Sequence, residues 1–210
     1  LPSENGWKIV SRLKANPRSR HILVVVVSPR GDAFEAATRG AAGHLARPAT
    51  SADLETTFQR IEELQSTGQR RILVAAPDRE RAQRIADTVE GFGLKAVAVT
   101  TSEDAGAVLE SEDLHAVIVH PLMAARGGHE FLVGLKKNPM PVFQYSGSPL
   151  KAQFRPDSGP YARLLNIRGI DKPDQLLTAL VSGLHLPPET LSQACRVRLA
   201  AMDKQVNSLK

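Results

Sequence analysis

Residues 71–100 read RILVAAPDRERAQRIADTVEGFGLKAVAVT, an apolar run, a helix-like stretch and a second apolar run. The first run, at 71–76, is short and uninterrupted, which is typical of a strand buried on both faces of a parallel sheet. Asp78 can cap a helix over residues 79–91, which carries an apolar stripe at helical spacing and ends among glycines. The next strand is predicted at 95–100. This alternation predicts an α/β fold.

The alternation continues along the chain to residue 187. Further strands are predicted at 115–119, 142–145 and 163–167, and further helices at 102–110, 128–137 and 174–184. Strand–helix units repeated in this way predict a five-stranded parallel sheet with helices on both faces.

An internal repeat links this unit to the first part of the chain. Leu13 and Leu135 each begin a Leu-Lys-x-Asn-Pro motif and lie 122 residues apart, and the same distance separates Leu54 from Leu176. Two matches at one offset indicate two copies of a unit about 120 residues long. Because the first match falls near residue 6, the first copy is expected to contain only the second half of the unit, residues 1–65.

The partial copy has predicted helices at 7–15, 32–39 and 51–64 and predicted strands at 22–27 and 43–45. Half a parallel sheet leaves an unpaired edge strand and an uncovered apolar face. The missing half is therefore expected elsewhere in a longer parent chain, or the strands are expected to pair with another chain.

Two further segments complete the predicted organisation. Residues 66–70 form a linker to the complete unit at 71–187, and residues 188–210 form a helical tail that links domains or binds a partner. The apolar residues of the tail that share helical spacing are Leu191, Ala194, Val197 and Ala200 or Ala201.

Composition limits the classes of function. The 210 residues include 27 basic and 22 acidic side chains and one cysteine, Cys195, which excludes an internal disulfide framework and a multi-cysteine zinc site. The net charge of +5 is spread along the chain, which argues against specific nucleic-acid binding. The densest early basic cluster comprises Arg12, Lys14, Arg18 and Arg20. The longest apolar run, 22–27, is too short to cross a bilayer and no leader is evident, so we expect a cytoplasmic protein without membrane insertion.

Several short motifs support one family resemblance. In the first copy they are Gly6-Trp7, Leu13-Lys14, Pro17, a strand ending at Ser28, Arg39-Gly40-Ala41 and Arg47-Pro48; in the second they are 145–150, YSGSPL, Leu176-Leu177 and 184–187, LHLP. The chain resembles the tandem receiver domains that follow the kinase core in hybrid sensor histidine kinases. The resemblance implies a flavodoxin-like fold, with a complete but degenerate pseudo-receiver at 71–187 and the C-terminal half of a receiver before it.

The resemblance also implies a site at the carboxyl ends of the strands. A working receiver accepts phosphate on an aspartate after the third strand and holds magnesium through two acids after the first. A hydroxyl after strand four and a lysine after strand five bind the phosphoryl oxygens. In the second copy these places fall on His120 for the acceptor, Ala76 and Pro77 for the acidic pair, Ser146 for the hydroxyl and Arg168 for the lysine. The magnesium site is thus predicted to be lost, and with it phosphorylation on aspartate.

The first copy keeps two of these places. Ser28 stands at the hydroxyl place, and Arg47-Pro48 stands where the family usually has lysine and proline. Arginine keeps the positive charge, but its planar guanidinium differs from the point charge of lysine. The Arg47–Pro48 bond is expected to be cis, as the bond at that place commonly is in the family.

Four interpretations of His120 are open from the sequence, and the first is that His120 itself accepts phosphate. It could bind a metal with His115 or His129, or join Ser146 and Asp78 in a hydrolytic triad, although no Gly-x-Ser-x-Gly elbow surrounds Ser146. The favoured interpretation is structural, an imidazole that fills the vacated acceptor pocket.

These patterns favour a non-catalytic signalling module of a two-component phosphorelay, without a cofactor and not itself an enzyme. The alternative is that the first receiver, when complete, is a genuine phosphoacceptor that the second regulates. Expected partners are histidine kinase domains, phosphotransfer domains and other receiver domains, and the sequence leaves a homo-oligomer open.

Overall fold

The computed structural model describes residues 6–16, 19–29, 33–65, 69–126, 131, 134–135, 137, 140–147, 169–170, 172–186 and 191–208. Its helices are α1 (Gly6–Ala15), α2 (Ala33–Thr38), α3 (Ser51–Gln65), α4 (Arg79–Gly91), α5 (Ser102–Ser111), α6 (Pro121–Arg126), α7 (Pro173–Gly183) and α8 (Gln193–Ser208). Its strands are β1 (Val25–Ser28), β2 (Gly43–Ala46), β3 (Arg71–Ala75), β4 (Lys95–Val99), β5 (Ala116–Val119), β6 (Val142–Tyr145) and β7 (Gly169–Ile170).

The larger sheet contains β3 to β7, and all its strand pairs are parallel. The strand order is β4-β3-β5-β6-β7, with the two-residue β7 at one edge beside β6. Numbered from β3, this order is 2-1-3-4-5, which is consistent with a flavodoxin-like fold. The α/β class is therefore confirmed. The segment predicted as the fifth strand, 163–167, lies outside the described residues, and the strand that pairs with β6 is Gly169–Ile170.

Helices cover both faces of this sheet. Since successive side chains of a strand point to opposite faces, one strand contributes to two cores. Ile72 and Val74 of β3 pack in one core with α4, α7 and α8. Leu73 and Ala75 pack in a second core with α5 and with the helical residues Phe131 and Leu135. A strand buried on both sides accounts for the uninterrupted apolar run at residues 71–76.

A local sequence signal accounts for the start of α4. The side chain of Asp78 accepts a hydrogen bond from the Arg81 N–H at 2.9 Å and caps α4, whose bounds are those predicted. The sequence interpretation missed α6, a six-residue helix that directly follows His120. Of the predicted helix at 128–137, the described residues are helical. None of the described helices is long and apolar enough to span a lipid bilayer.

The first unit lies within residues 6–65, and the second unit, which contains the larger sheet, lies within residues 71–186. The first unit has a two-stranded parallel sheet, β1 paired with β2, and a small core of Val10, Ala36 and Ala41. One face of α3 has no cover in the described part of the chain: Leu54 is 43% exposed and Phe58 is 61% exposed. At the repeat offset their counterparts are Leu176 and Leu180, which are fully buried in the second unit. Among the described residues, α3 thus presents exposed apolar side chains where the corresponding positions of α7 are buried.

The first unit docks on the second through buried polar contacts. Lys14 on α1 donates to His185 Nδ1 at 2.7 Å, and the Lys14 carbonyl accepts from the Ser182 hydroxyl at 3.3 Å. Arg20 forms a bidentate ion pair with Asp203 of α8, at 2.6 and 3.0 Å. Lys14 and Arg20 belong to the basic cluster noted in the sequence, but both are buried. They therefore join the two units and offer no surface to nucleic acid.

The tail helix α8 folds back onto the second unit, and the apolar residues noted in the tail do not share one packed face. Leu191 is buried, but Ala194, Val197 and Ala200 are exposed, and Val197 is 66% exposed. The residues that contact the core next to α7 are instead Leu191, Cys195, Leu199 and Met202. The apolar residues of this tail occupy more than one helical stripe, so spacing alone did not select the face that packs.

This docking predicts different effects for two neighbouring substitutions on α8. Leu199→Ala removes a side chain that is 5% exposed, and it should lower the free energy of unfolding by about 2–3 kcal/mol. Val197→Ala, on the solvent side of the same helix, should change it by less than about 0.5 kcal/mol. Urea denaturation followed by circular dichroism measures both, and equal effects would contradict the observed orientation of α8.

Candidate functional site at the carboxyl edge of the sheet

The parallel register brings the predicted site residues of the second unit to one edge of the sheet. Ala75 lies opposite Val119, and Val119 lies opposite Gln144. The residues that follow these strands are therefore neighbours at the carboxyl edge: Ala76 after β3, His120 after β5 and Ser146 after β6. This is the edge where parallel α/β sheets bind their ligands.

His120 is 1% exposed and is held by backbone contacts. Its N–H donates to the Ala75 carbonyl at 2.8 Å, and its Nδ1 accepts the Leu122 N–H at 3.1 Å. Burial, together with the positive charge of Arg81, lowers the pKa of His120 to about 4, so the ring is neutral at pH 7. With Nδ1 engaged as an acceptor, the proton of the neutral ring is assigned to Nε2.

This arrangement disfavours the three chemical interpretations of His120, as a phosphate acceptor, a metal ligand or a member of a triad. A neutral imidazole protonated on Nε2 and hydrogen-bonded through Nδ1 has no lone pair left to take a proton from Ser146. His115 precedes β5 at the opposite end of the strand, where its Nδ1 accepts the Arg71 N–H at 3.3 Å. His129 lies outside the described residues. The geometry agrees with a structural histidine that caps the start of α6.

Apolar side chains stand at the two places predicted for the acidic pair. Ala76 is fully buried, and Pro77 follows it. Asp78 comes next, but its carboxylate caps α4 and forms an ion pair with Arg81. The hydrogen bond from the Arg81 N–H is the largest cause that lowers the pKa of Asp78. The carboxylate of Asp78 is thus already engaged.

Magnesium does not fit the residues at this edge. Mg²⁺ takes oxygen ligands in near-octahedral geometry, and a methyl group, a proline ring and an imidazole do not supply them. Within the part of the chain that the structure describes, no three His, Cys, Asp or Glu side chains lie close enough together to hold a metal ion.

Of the residues predicted for the hydroxyl and lysine places, the structure describes Ser146 but not Arg168. Ser146 is 4% exposed and follows β6 as predicted. Arg168 lies outside the described residues, and it precedes β7 instead of following it. The basic residue that follows β7 is Lys172, at the start of α7, with Pro173 as the first helical residue. The assignment of Arg168 to the lysine place therefore stays a prediction, and Lys172 is a second basic residue that could take that place.

A signal for Lys172 was present in the sequence. The first unit ends β2 at Ala46 and continues with Arg47-Pro48, and the second unit ends β7 at Ile170 and continues, one residue later, with Lys172-Pro173. Both dipeptides pair a cation with proline just after the last strand of the unit. Aligning the two dipeptides would have added Lys172 to Arg168 as a candidate for the lysine place.

In the first unit, the residues predicted for the hydroxyl and lysine places also lie at the carboxyl edge of the strands. Ser28 ends β1, and its carbonyl accepts the Arg47 N–H at 3.3 Å. The Arg47–Pro48 peptide bond is cis, as expected. Ser28, Arg47 and Pro48 therefore lie together at the carboxyl edge of β1 and β2.

Comparison with known proteins adds no family assignment. No protein-family model matches the chain, and no curated protein sequence matches it. The class of the protein is therefore defined by its parallel α/β fold and by the residues at its carboxyl edge.

Proposed function

We propose that this chain is a non-catalytic signalling module built from a partial receiver domain and a pseudo-receiver. One observation carries the proposal: a sheet of order 2-1-3-4-5 whose carboxyl edge keeps Ser146 and Lys172 but has Ala76, Pro77 and His120 at the places of the acids. Among the residues that the structure describes, this edge does not bring together the carboxylates needed to hold magnesium or accept phosphate. The proposed setting is a cytoplasmic phosphorelay, with histidine kinase, phosphotransfer or receiver domains as partners.

The docking of the two units favours a regulatory role for the second. The contacts of Lys14 lie at the C-terminal end of α7, with Ser182 in its last turn and His185 just beyond it, and Phe34 of α2 packs into a core of the second unit. A change in the position of α7 would therefore be transmitted to α1 of the first unit. In this second candidate function, a complete first receiver accepts phosphate while the pseudo-receiver holds its α1.

Phosphorylation of the intact chain tests the first proposal. Incubation with Mg²⁺ and acetyl phosphate should leave its mass unchanged, because the second unit offers neither metal ligands nor an acceptor aspartate. Beryllofluoride should leave its amide NMR spectrum unchanged as well. A phosphate adduct mapped to residues 71–147 would overturn the proposed assignment of the site.

Restoring the acids provides the positive arm of the same experiment. The variant Ala76→Asp, Pro77→Asp, His120→Asp should bind Mg²⁺ and take up one acid-labile phosphate. A matched variant with His120→Asn instead of His120→Asp should bind Mg²⁺ without accepting phosphate. If the triple variant keeps the wild-type circular dichroism spectrum yet does not bind Mg²⁺, these positions are not the receiver site.

A further inference from the structure

A cavity of about 630 Å³ lies between the first unit and the second. The first unit lines it with residues of α1, of α2 and of the turn after α2, and the second unit with residues of β6, β7 and α7. The tail helix α8 adds Met202. Its described lining residues do not include Ala76, His120 or Ser146 of the carboxyl edge. A cavity of this volume between two packed units lies within the range of small-molecule sites in proteins.

The wall of this cavity is mainly apolar. Phe143, Ala179 and Met202 pack against the core of the second unit, but each is only half-buried, and all three line the cavity. The other apolar side chains on the wall are Ala15, Ala37, Pro141, Val142 and Ile170. Covering half-buried apolar side chains with an apolar molecule removes their remaining surface from water, which favours binding. The wall therefore favours an apolar ligand.

The charged side chains on the wall already have partners. Arg39 Nη2 lies 3.1 Å from Glu35 Oε1, and Asp174 forms an ion pair with Arg198. The ammonium of Lys14 donates to two backbone carbonyls and to an imidazole nitrogen. A charged ligand would lose hydration in the cavity while these side chains stay bound to their present partners. The pairing of the wall charges therefore favours a ligand without net charge.

Two hydroxyl groups on the wall favour a hydrogen-bond donor on the ligand. Thr178 and Ser182 lie one turn apart on α7, and both line the cavity. The Thr178 hydroxyl donates to the Asp174 carbonyl at 3.0 Å, and the Ser182 hydroxyl donates to the Lys14 carbonyl at 3.3 Å. Because each hydroxyl proton is engaged, these oxygens offer a ligand acceptor lone pairs. A neutral N–H or O–H group matches them.

We propose that this cavity binds a small, mainly apolar organic molecule that has no net charge and carries an N–H or O–H donor. Phe143, Ala179 and Met202 supply its apolar contacts, and the hydroxyl oxygens of Thr178 and Ser182 accept its hydrogen bond. Because the first unit forms the opposite wall, the bound molecule contacts both units and strengthens their docking. The site depends on this docking and not on the assignment of the receiver places.

Fluorescence titration of the full chain with N-phenylnaphthylamine tests the proposal. This probe is a neutral aromatic amine with one N–H, and anilinonaphthalene sulfonate adds a negative charge to the same ring system. The neutral probe should bind saturably at one site per chain, and the sulfonate should bind at least about tenfold more weakly. The bound neutral probe should also raise the Tm of the chain and slow hydrogen exchange in α1.

Filling the cavity should remove this binding. Ala179→Phe places a ring in the cavity from α7 and should weaken binding of the neutral probe at least about tenfold. Ala194→Phe, which adds the same ring at an exposed position of α8, should leave the affinity unchanged. Met202→Ser removes apolar wall without adding volume and should weaken binding about fivefold while the circular dichroism spectrum stays that of the wild type.

The exposed apolar side chains of α3 are the competing site for such a probe. Phe58 is 61% exposed, so Phe58→Ser removes most of that competing surface and should leave the affinity unchanged. The proposal is overturned if the neutral probe does not bind saturably, if the sulfonate binds as tightly, or if Phe58→Ser abolishes binding. It is also overturned if Ala179→Phe and Met202→Ser both bind the neutral probe as the wild type does.

Discussion

Replacing Lys14 with methionine is expected to lower the free energy of unfolding by about 3–5 kcal/mol, because it removes a buried cation and leaves its partners without a donor. Burial lowers the pKa of Lys14 to about 8, so near neutral pH the side chain is an ammonium with three N–H donors. Its three acceptors are the Arg20 carbonyl at 3.0 Å, the Ile22 carbonyl at 2.7 Å and His185 Nδ1 at 2.7 Å. Each donor is thus matched by one acceptor.

Lys8 provides the matched control on the same helix. It is exposed, so Lys8→Met should change the stability by less than about 0.5 kcal/mol. Urea denaturation gives both values, and hydrogen exchange should show faster exchange in α1 for Lys14→Met alone. If the two variants were equally stable, Lys14 would not hold the units together.

Acidification from pH 7 to pH 5 is expected to lower the free energy of unfolding by about 4 kcal/mol through His120 and His185. Both pKa values are lowered mainly by burial, to about 4 for His120 and about 3 for His185. The unfolded chain takes up a proton at each histidine near the ordinary pKa of about 6.5, whereas the folded chain does not. The stability is therefore fully present above about pH 7 and is lost as the pH falls from about 6.5 towards these lowered pKa values.

Urea denaturation at pH 7, 6 and 5 measures this loss. His120→Asn keeps an acceptor for the Leu122 N–H and should remove about half of the pH dependence. His21→Gln, at an exposed turn position, should leave the dependence unchanged. A free energy of unfolding that stays constant from pH 7 to pH 5 would show that neither buried histidine resists protonation in the folded chain.

The order of strands and helices in the second unit was determined by local sequence. The apolar run at 71–76 and the cap at Asp78 are properties of short stretches, and the structure has β3 and α4 at these places. The absence of acids at Ala76, Pro77 and His120 could likewise be noted without coordinates, once the ends of the strands were known. The hydrophobic period of a strand, two residues, or of a helix, 3.6 residues, can be recognised without knowing what the segment packs against.

The tertiary structure alone decided which side chains become buried through contacts between distant segments. Leu199 and not Val197 faces the core, Lys14 is joined to His185, and Arg20 is joined to Asp203. Sequence patterns indicate that a lysine is charged, but they do not tell whether another segment will surround it with acceptors. Burial and hydrogen-bond pairing depend on how the units dock, and docking is set by the combined shape and charge of surfaces that are far apart along the chain.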